Sequence, residues 1–235
     1  MIFIVKFRNK SVLFCWLAIL SSCHRSALRS GDFLFQDIDC PLCTAIENVT
    51  DGYEGYNFSH VGMLVEENGS WCVLEAISDK VVQTPLSEFM DRSKDADGNP
   101  KVLQMRLTRQ YRKTVPAIVE AVKANIGKPY DDEFLPDNGK YYCSELLYEA
   151  VQQATKDTAI FRLQPMTYID PLTGKTNLLW MDYFSRLGAS VPEGVAGINP
   201  GGMSRSGSLT FVHKYGKISK NHHLNTTKNR ILRIY

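Results

Sequence analysis

The run Ser59-His60-Val61-Gly62-Met63-Leu64-Val65-Glu66-Glu67-Asn68-Gly69-Ser70-Trp71-Cys72-Val73-Leu74-Glu75-Ala76-Ile77 decides how this chain folds. Two stretches rich in β-branched and apolar residues flank an Asn-Gly pair, the strongest short-range signal for a hairpin with a two-residue loop. Such a loop sets Glu75 opposite Gly62 and His60 opposite Ile77. His60 and Glu75 then share one face as diagonal neighbours, about 7–8 Å apart at Cα and within reach of two long polar side chains. A carboxylate inside Val73-Leu74-Glu75-Ala76-Ile77 is costly to bury unless paired, and the imidazole offers a partner. The reading depends on register, because a slip of one residue sends the two side chains to opposite faces.

Outward from the hairpin, residues 32–36 read as a strand after Gly31, and residues 80–84, 101–107 and 208–215 as further strands. Residues 86–91 make one or two helical turns. Residues 41–49 form a short helix with Asp39 as N-cap and Gly52 beyond its end. Val115, Ile118, Val119, Val122 and Ile126 give helical spacing over 111–126, stopped by Gly127 and Pro129. Residues 143–155 form a second strong helix. From 157 to 208 the chain is loop-like and rich in Gly and Pro, the character of a binding or lid segment. With no repeats and no interdomain linker, one α+β domain over residues 23–235 is the economical reading.

Cys143 opens the 143–155 helix, where backbone N–H groups and the helix dipole favour a thiolate and can bind an oxyanion. It shares a stripe with Leu146 or Leu147, Ala150 and Ala154, and Tyr141 and Tyr142 precede it. Of the five histidines, only His60 and His213 fall outside the polar ends of the chain. A Cys, a strand His and a carboxylate able to orient it are the parts of a nucleophile-activating triad. Each also has a plain packing explanation.

The 235 residues, 44% hydrophobic and 22% charged, suffice for a core and exclude a disordered or polytopic membrane protein. Lys6, Arg8 and Lys10 precede an apolar run over 12–20 that is too short to span a bilayer, which needs roughly 20 residues. Residues 1–22 therefore read as a signal peptide. Leu20-Ser21-Ser22-Cys23 resembles the bacterial lipobox, which implies a lipid on Cys23, a membrane partner through that anchor and a place in the bacterial cell envelope, on the periplasmic side. The leader removes three basic residues, turning the formal +2 into 24 basic against 25 acidic side chains. No basic face remains, so nucleic acid is excluded as a partner.

Cys40-Pro41-Leu42-Cys43 is a CxxC after a strand and opening a helix, the context of a thioredoxin-like redox motif. Asp39 stands where such motifs usually carry Trp, and a local structural disulfide is the competing explanation. Zinc would need two further ligands that no second CxxC or spaced His pair supplies. No metal or cofactor is expected. Cys72 alternates away from Glu75 as a core residue.

Gly31-Asp32-Phe33-Leu34-Phe35, Phe58-Ser59-His60-Val61-Gly62, Glu75 and Tyr142-Cys143-Ser144-Glu145-Leu146 resemble the YiiX-like family, circularly permuted relatives of the NlpC-type papain-like cysteine hydrolases. His60 precedes Cys143, which is the permuted order. Gly127-Lys128-Pro129-Tyr130-Asp131 is similar to the approach to the nucleophile in NlpC-type enzymes. The resemblance covers about Gly31 to Ala154. It implies a permuted papain-like fold, an antiparallel sheet packed on helices that include the Cys-bearing one. It also implies Cys143 as nucleophile, His60 as general base, Glu75 as the residue orienting it, and substrate contacts from Tyr130 and Tyr142. The expected activity is cysteine peptidase or amidase chemistry on peptidoglycan-like or related peptides. The competing readings are a lipid-anchored protein that only binds cell-wall peptides, an acyl or lipid hydrolase, and a CxxC redox protein.

Overall fold

A six-stranded antiparallel sheet forms around the predicted hairpin in the computed structural model, which describes residues 28–220. The leader, Cys23 and the residues beyond 220 lie outside the described residues, so the anchor expectation falls outside them too. In chain order the elements begin with β1 (Phe33–Gln36), α1 (Pro41–Asn48), β2 (His60–Glu67), β3 (Ser70–Ile77), β4 (Lys80–Pro85) and α2 (Leu86–Asp91). β5 (Val102–Leu107), α3 (Val115–Lys123) and α4 (Cys143–Thr155) follow. The remainder holds β6 (Gln164–Pro165), β7 (Ile169–Asp170), β8 (Lys175–Thr176), α5 (Leu178–Leu187), β9 (Ala196–Gly197), α6 (Pro200–Ser204) and β10 (Leu209–Lys214). The sheet order is β10-β5-β1-β2-β3-β4.

Asn68 and Gly69 both take positive φ, 51° and 76°, the turn geometry whose twist matches paired strands. Met63 pairs with Leu74 and Val65 with Cys72, the register that a two-residue loop dictates. Alternation then sorts side chains onto two faces. Phe33, Phe35, Val61, Met63, Leu74 and Ala76 pack with Ile118 and Val122 of α3 and Leu146 and Leu147 of α4. Leu34, Leu64 and Val73 form a smaller cluster with Phe89 of α2 and Val102. By the same alternation His60 and Glu75 belong to this second face. Cys72 is half-buried against the main core.

Several local expectations need correction. The N-cap of α1 is Cys40, whose Sγ accepts the Cys43 N–H at 3.0 Å, because Asp39 turns instead to the Lys101 ammonium at 2.6 Å. Cys40 and Cys43 form a disulfide, in line with the local structural bridge offered as one explanation of the CxxC. The helix expected over 111–126 is α only from Val115 to Lys123, preceded by a tighter 3₁₀ stretch over Arg109–Thr114. Pro116 suits a first turn and not a helix interior, and Ile126 is left exposed. The 157–208 segment is not all loop, since it contains α5, capped by the Asn177 side chain on the Leu179 N–H at 2.9 Å and ended by left-handed Gly188. His213 lies half-buried on β10, three strands from β2, against the Tyr215 ring at 4.6 Å.

Candidate active site

His60 is the first residue of β2 and Cys143 the first of α4, and the fold brings these two element starts together. His60 Nε2 lies 2.5 Å from Glu75 Oε2, which leaves Nδ1 for the Cys143 thiol within hydrogen-bonding reach. Cys143 is 5% exposed. The interior position follows from its helical stripe, with Leu146, Leu147 and Ala150 buried in the main core.

Glu75 is fully buried in the middle of β3 and held by more than the imidazole. Its carboxylate accepts Thr84 Oγ1 at 2.6 Å, Arg92 Nη1 at 2.9 Å and Arg92 Nη2 at 2.7 Å. Burial alone would push this carboxyl up, but the Arg92 and His60 hydrogen bonds outweigh it and hold it down at about 2. Burial likewise works against a charged imidazole. The bonds to Cys143 and Glu75 overcome that and raise His60 to about 9. An imidazolium between a thiol and a fixed carboxylate is electrostatically suited to sustain a thiolate.

The approach of Arg92 follows from local sequence. Pro85 precedes α2, whose Phe89 faces the sheet, and Arg92 is the C-cap residue. The guanidinium then lies 5.2 Å from the Phe89 ring and also meets Gln36 Oε1 at 3.4 Å. Gln36 Nε2 in turn donates to the Phe89 carbonyl at 2.8 Å. Sequence reasoning missed both carboxylate partners. Thr84 pairs with Val73 and so shares the face of Glu75, a signal available once β4 is placed in register. Arg92 has no spacing signal and is found only by asking what a buried carboxylate needs besides His60.

Cys143 opens onto a cleft of about 500 Å³, adjoining solvent included, whose walls include Tyr130 and Tyr142. The 157–208 segment supplies the facing wall through Met166, Tyr168, Trp180 and Ile198. The residues flanking Cys143 pin that wall: Ser144 Oγ donates to the Ile198 carbonyl at 2.8 Å, and the Ile198 N–H donates to Tyr142 Oη at 3.2 Å. Tyr142 is buried and half committed to this contact, whereas Tyr130 is half-buried beside the thiol. Burial, with the negative charge developed at Cys143, raises the Tyr130 phenol well above its ordinary value. The Cys40–Cys43 bridge sits at the start of α1, whose Ile46 also reaches the cleft.

A stretch of 126 residues is 28% identical to a protein of Escherichia coli K12 described as uncharacterized protein YiiX. That stretch covers 54% of this chain and 58% of the length of the relative. The fold is similar to a crystal structure described as metalloprotein YiiX from Escherichia coli O157:H7, with TM-score 0.65 and 25% identity, covering 80% of this chain and 98% of that one. Among the described residues no group of three or more His, Cys, Asp or Glu is placed to hold a metal ion. The donors described do not make a site for such an ion. Residues 27–213 match the family of permuted papain-like amidase enzymes, YaeF/YiiX, C92. With that match running over more than half of its length, and with an α+β fold of the permuted papain-like kind, the chain belongs to this family.

Proposed function

We propose that the protein is a cysteine amidase that hydrolyses amide bonds of cell-wall or related peptides. The observation that supports it most is the buried line Glu75–His60–Cys143, with Glu75 fixed by Arg92 and Thr84. In this reading His60 takes the Cys143 proton, and the thiolate attacks the scissile carbonyl to form a tetrahedral oxyanion. In the same reading, backbone N–H groups at the start of α4 stabilise that charge. Collapse of the intermediate breaks the C–N bond as His60 protonates the leaving amine. Water then attacks the thioester, with His60 accepting its proton, and releases the carboxylic acid and the free thiol. Tyr130 and Tyr142 contact the substrate from the cleft walls. Acylation of Cys23 would hold the enzyme at the membrane of a bacterial envelope, on the side where peptidoglycan peptides are found.

The test is incubation of the purified protein with digested peptidoglycan, read by mass spectrometry. The proposal expects loss of a specific peptide bond with wild type and none with Cys143→Ala. Unchanged peptides with both proteins would remove cell-wall peptides as the substrate class.

A further inference from the structure

Two residues that line the cleft each bury a polar atom with no protein partner, the Trp180 indole Nε1–H and the Tyr168 phenol Oη. Both side chains are 2% exposed, and both line the cleft onto which Cys143 opens. Several other polar groups around the cleft are engaged. Tyr142 Oη accepts the Ile198 N–H, Ser144 Oγ donates to the Ile198 carbonyl, and Asn199 Nδ2 donates to Thr50 Oγ1 at 2.7 Å. Native interiors leave few buried polar side-chain atoms unpaired. Two on neighbouring rings of one cleft wall are an uncommon coincidence in a purely structural role. Those rings meet edge to face, with centroids 4.9 Å apart and planes at 89°. Indole donates only, and a phenol donates or accepts. Each can therefore donate to an acceptor oxygen.

The surroundings select the charge of that acceptor. Glu193 Oε2 takes the Tyr168 backbone N–H at 2.7 Å. Burial first, and then the Glu193 and Asp131 carboxylates, push the Tyr168 phenol above its ordinary value. The negative charge of these two carboxyl groups disfavours a further anion beside Tyr168. A neutral carbonyl oxygen fits there.

We propose that Tyr168 and Trp180 receive a second, uncharged carbonyl of the substrate, adjacent to the one attacked at Cys143. The preferred substrate is then a peptide-type amide with a backbone carbonyl next to the scissile residue, not a simple alkanoyl amide. The inference rests on the reading of Cys143 as nucleophile only for which carbonyl is cut.

Two probes separate the possibilities: N-acetylalaninamide, and 2-methylpentanamide, which keeps the skeleton and replaces the second carbonyl and its N–H by two methylenes. Each is titrated into the full-length Cys143→Ala protein while the indole ¹H–¹⁵N resonances are followed, with Trp180→Phe identifying the Trp180 signal. The expected result is a downfield shift of that signal with N-acetylalaninamide and none with 2-methylpentanamide. Tyr168→Phe, which removes one oxygen and keeps the ring, should weaken the first probe at least about fivefold and leave the second unchanged. A Trp180 signal that stays in place, or moves equally with both probes, overturns the proposal. If wild type hydrolyses neither probe, the amidase reading suffers while the spectrum still decides this one. If wild type cleaves both and the signal is silent, this inference alone falls.

Discussion

Replacing Arg92 with Met removes both guanidinium bonds to Glu75, at 2.9 and 2.7 Å, and keeps much of the aliphatic volume over Phe89. The cost can be worked from the carboxylate. A folded-state value of about 2 against an ordinary 4.5 means that ionised Glu75 stabilises the fold above about pH 4.5, and that this contribution is lost as pH falls through about 2. Its full size is about 3 kcal/mol. His60 and Thr84 share it and the Arg92 side chain is 20% exposed, so the part due to Arg92 is about 2 kcal/mol at pH 7. Urea unfolding followed by tryptophan fluorescence, at pH 7 and pH 3, measures it. Arg92→Met should lose about 2 kcal/mol at pH 7 and about 1 kcal/mol at pH 3, where the carboxylate contributes less. A deficit below about 0.5 kcal/mol at pH 7, or one of equal size at both pH values, would refute the assignment of Arg92 as the group that holds Glu75 charged.

Three further outcomes follow. A Cβ on Gly62 would come within 2.3 Å of Val73 Cγ1, so Gly62→Ala should cost about 1–3 kcal/mol in urea unfolding. His60 is raised from 6.5 to about 9, so its protonated form stabilises the fold fully below about pH 6.5 and that stability is lost as pH rises through about 9. The difference in unfolding free energy between wild type and His60→Ala should therefore shrink between pH 6.5 and pH 9.5, as read by melts across that range. The Cys40–Cys43 bridge closes a very short loop, so the double change Cys40→Ser, Cys43→Ser should cost about 2 kcal/mol and leave alkylation of Cys143 at the wild-type rate.

What could be read from the chain was local. The Asn68-Gly69 loop fixes the β2–β3 register, and register alone sets His60 and Glu75 on one face. The stripe of Leu147 and Ala150 below Cys143 marks α4 and its inward side. The rest depends on how distant segments return to the site. Arg92 reaches Glu75 only because α2 folds back over β3, 17 positions along the chain, and no periodicity encodes that return. Helix α5 was hidden for another reason: Leu178, Leu179 and Met181 are exposed while Trp180 and Phe184 are buried, so apolar residues on both sides blur the 3.6-residue pattern. Its end signals, Asn177 and Gly188, were present in a segment whose Gly and Pro content argued for loop. The Asp39 cap failed because a charged partner, Lys101, sits 62 residues away and outcompetes a helix start.

Alkylation shows whether His60, oriented by Glu75, activates the Cys143 thiol. Wild type and His60→Ala are treated with iodoacetamide at pH 7, and modification of Cys143 is followed over time by peptide mass spectrometry, with the half-buried Cys72 as internal reference. Activation predicts that Cys143 in wild type reacts at least about ten times faster than in His60→Ala, while Cys72 reacts alike in both. Equal and slow modification of Cys143 in the two proteins would contradict it.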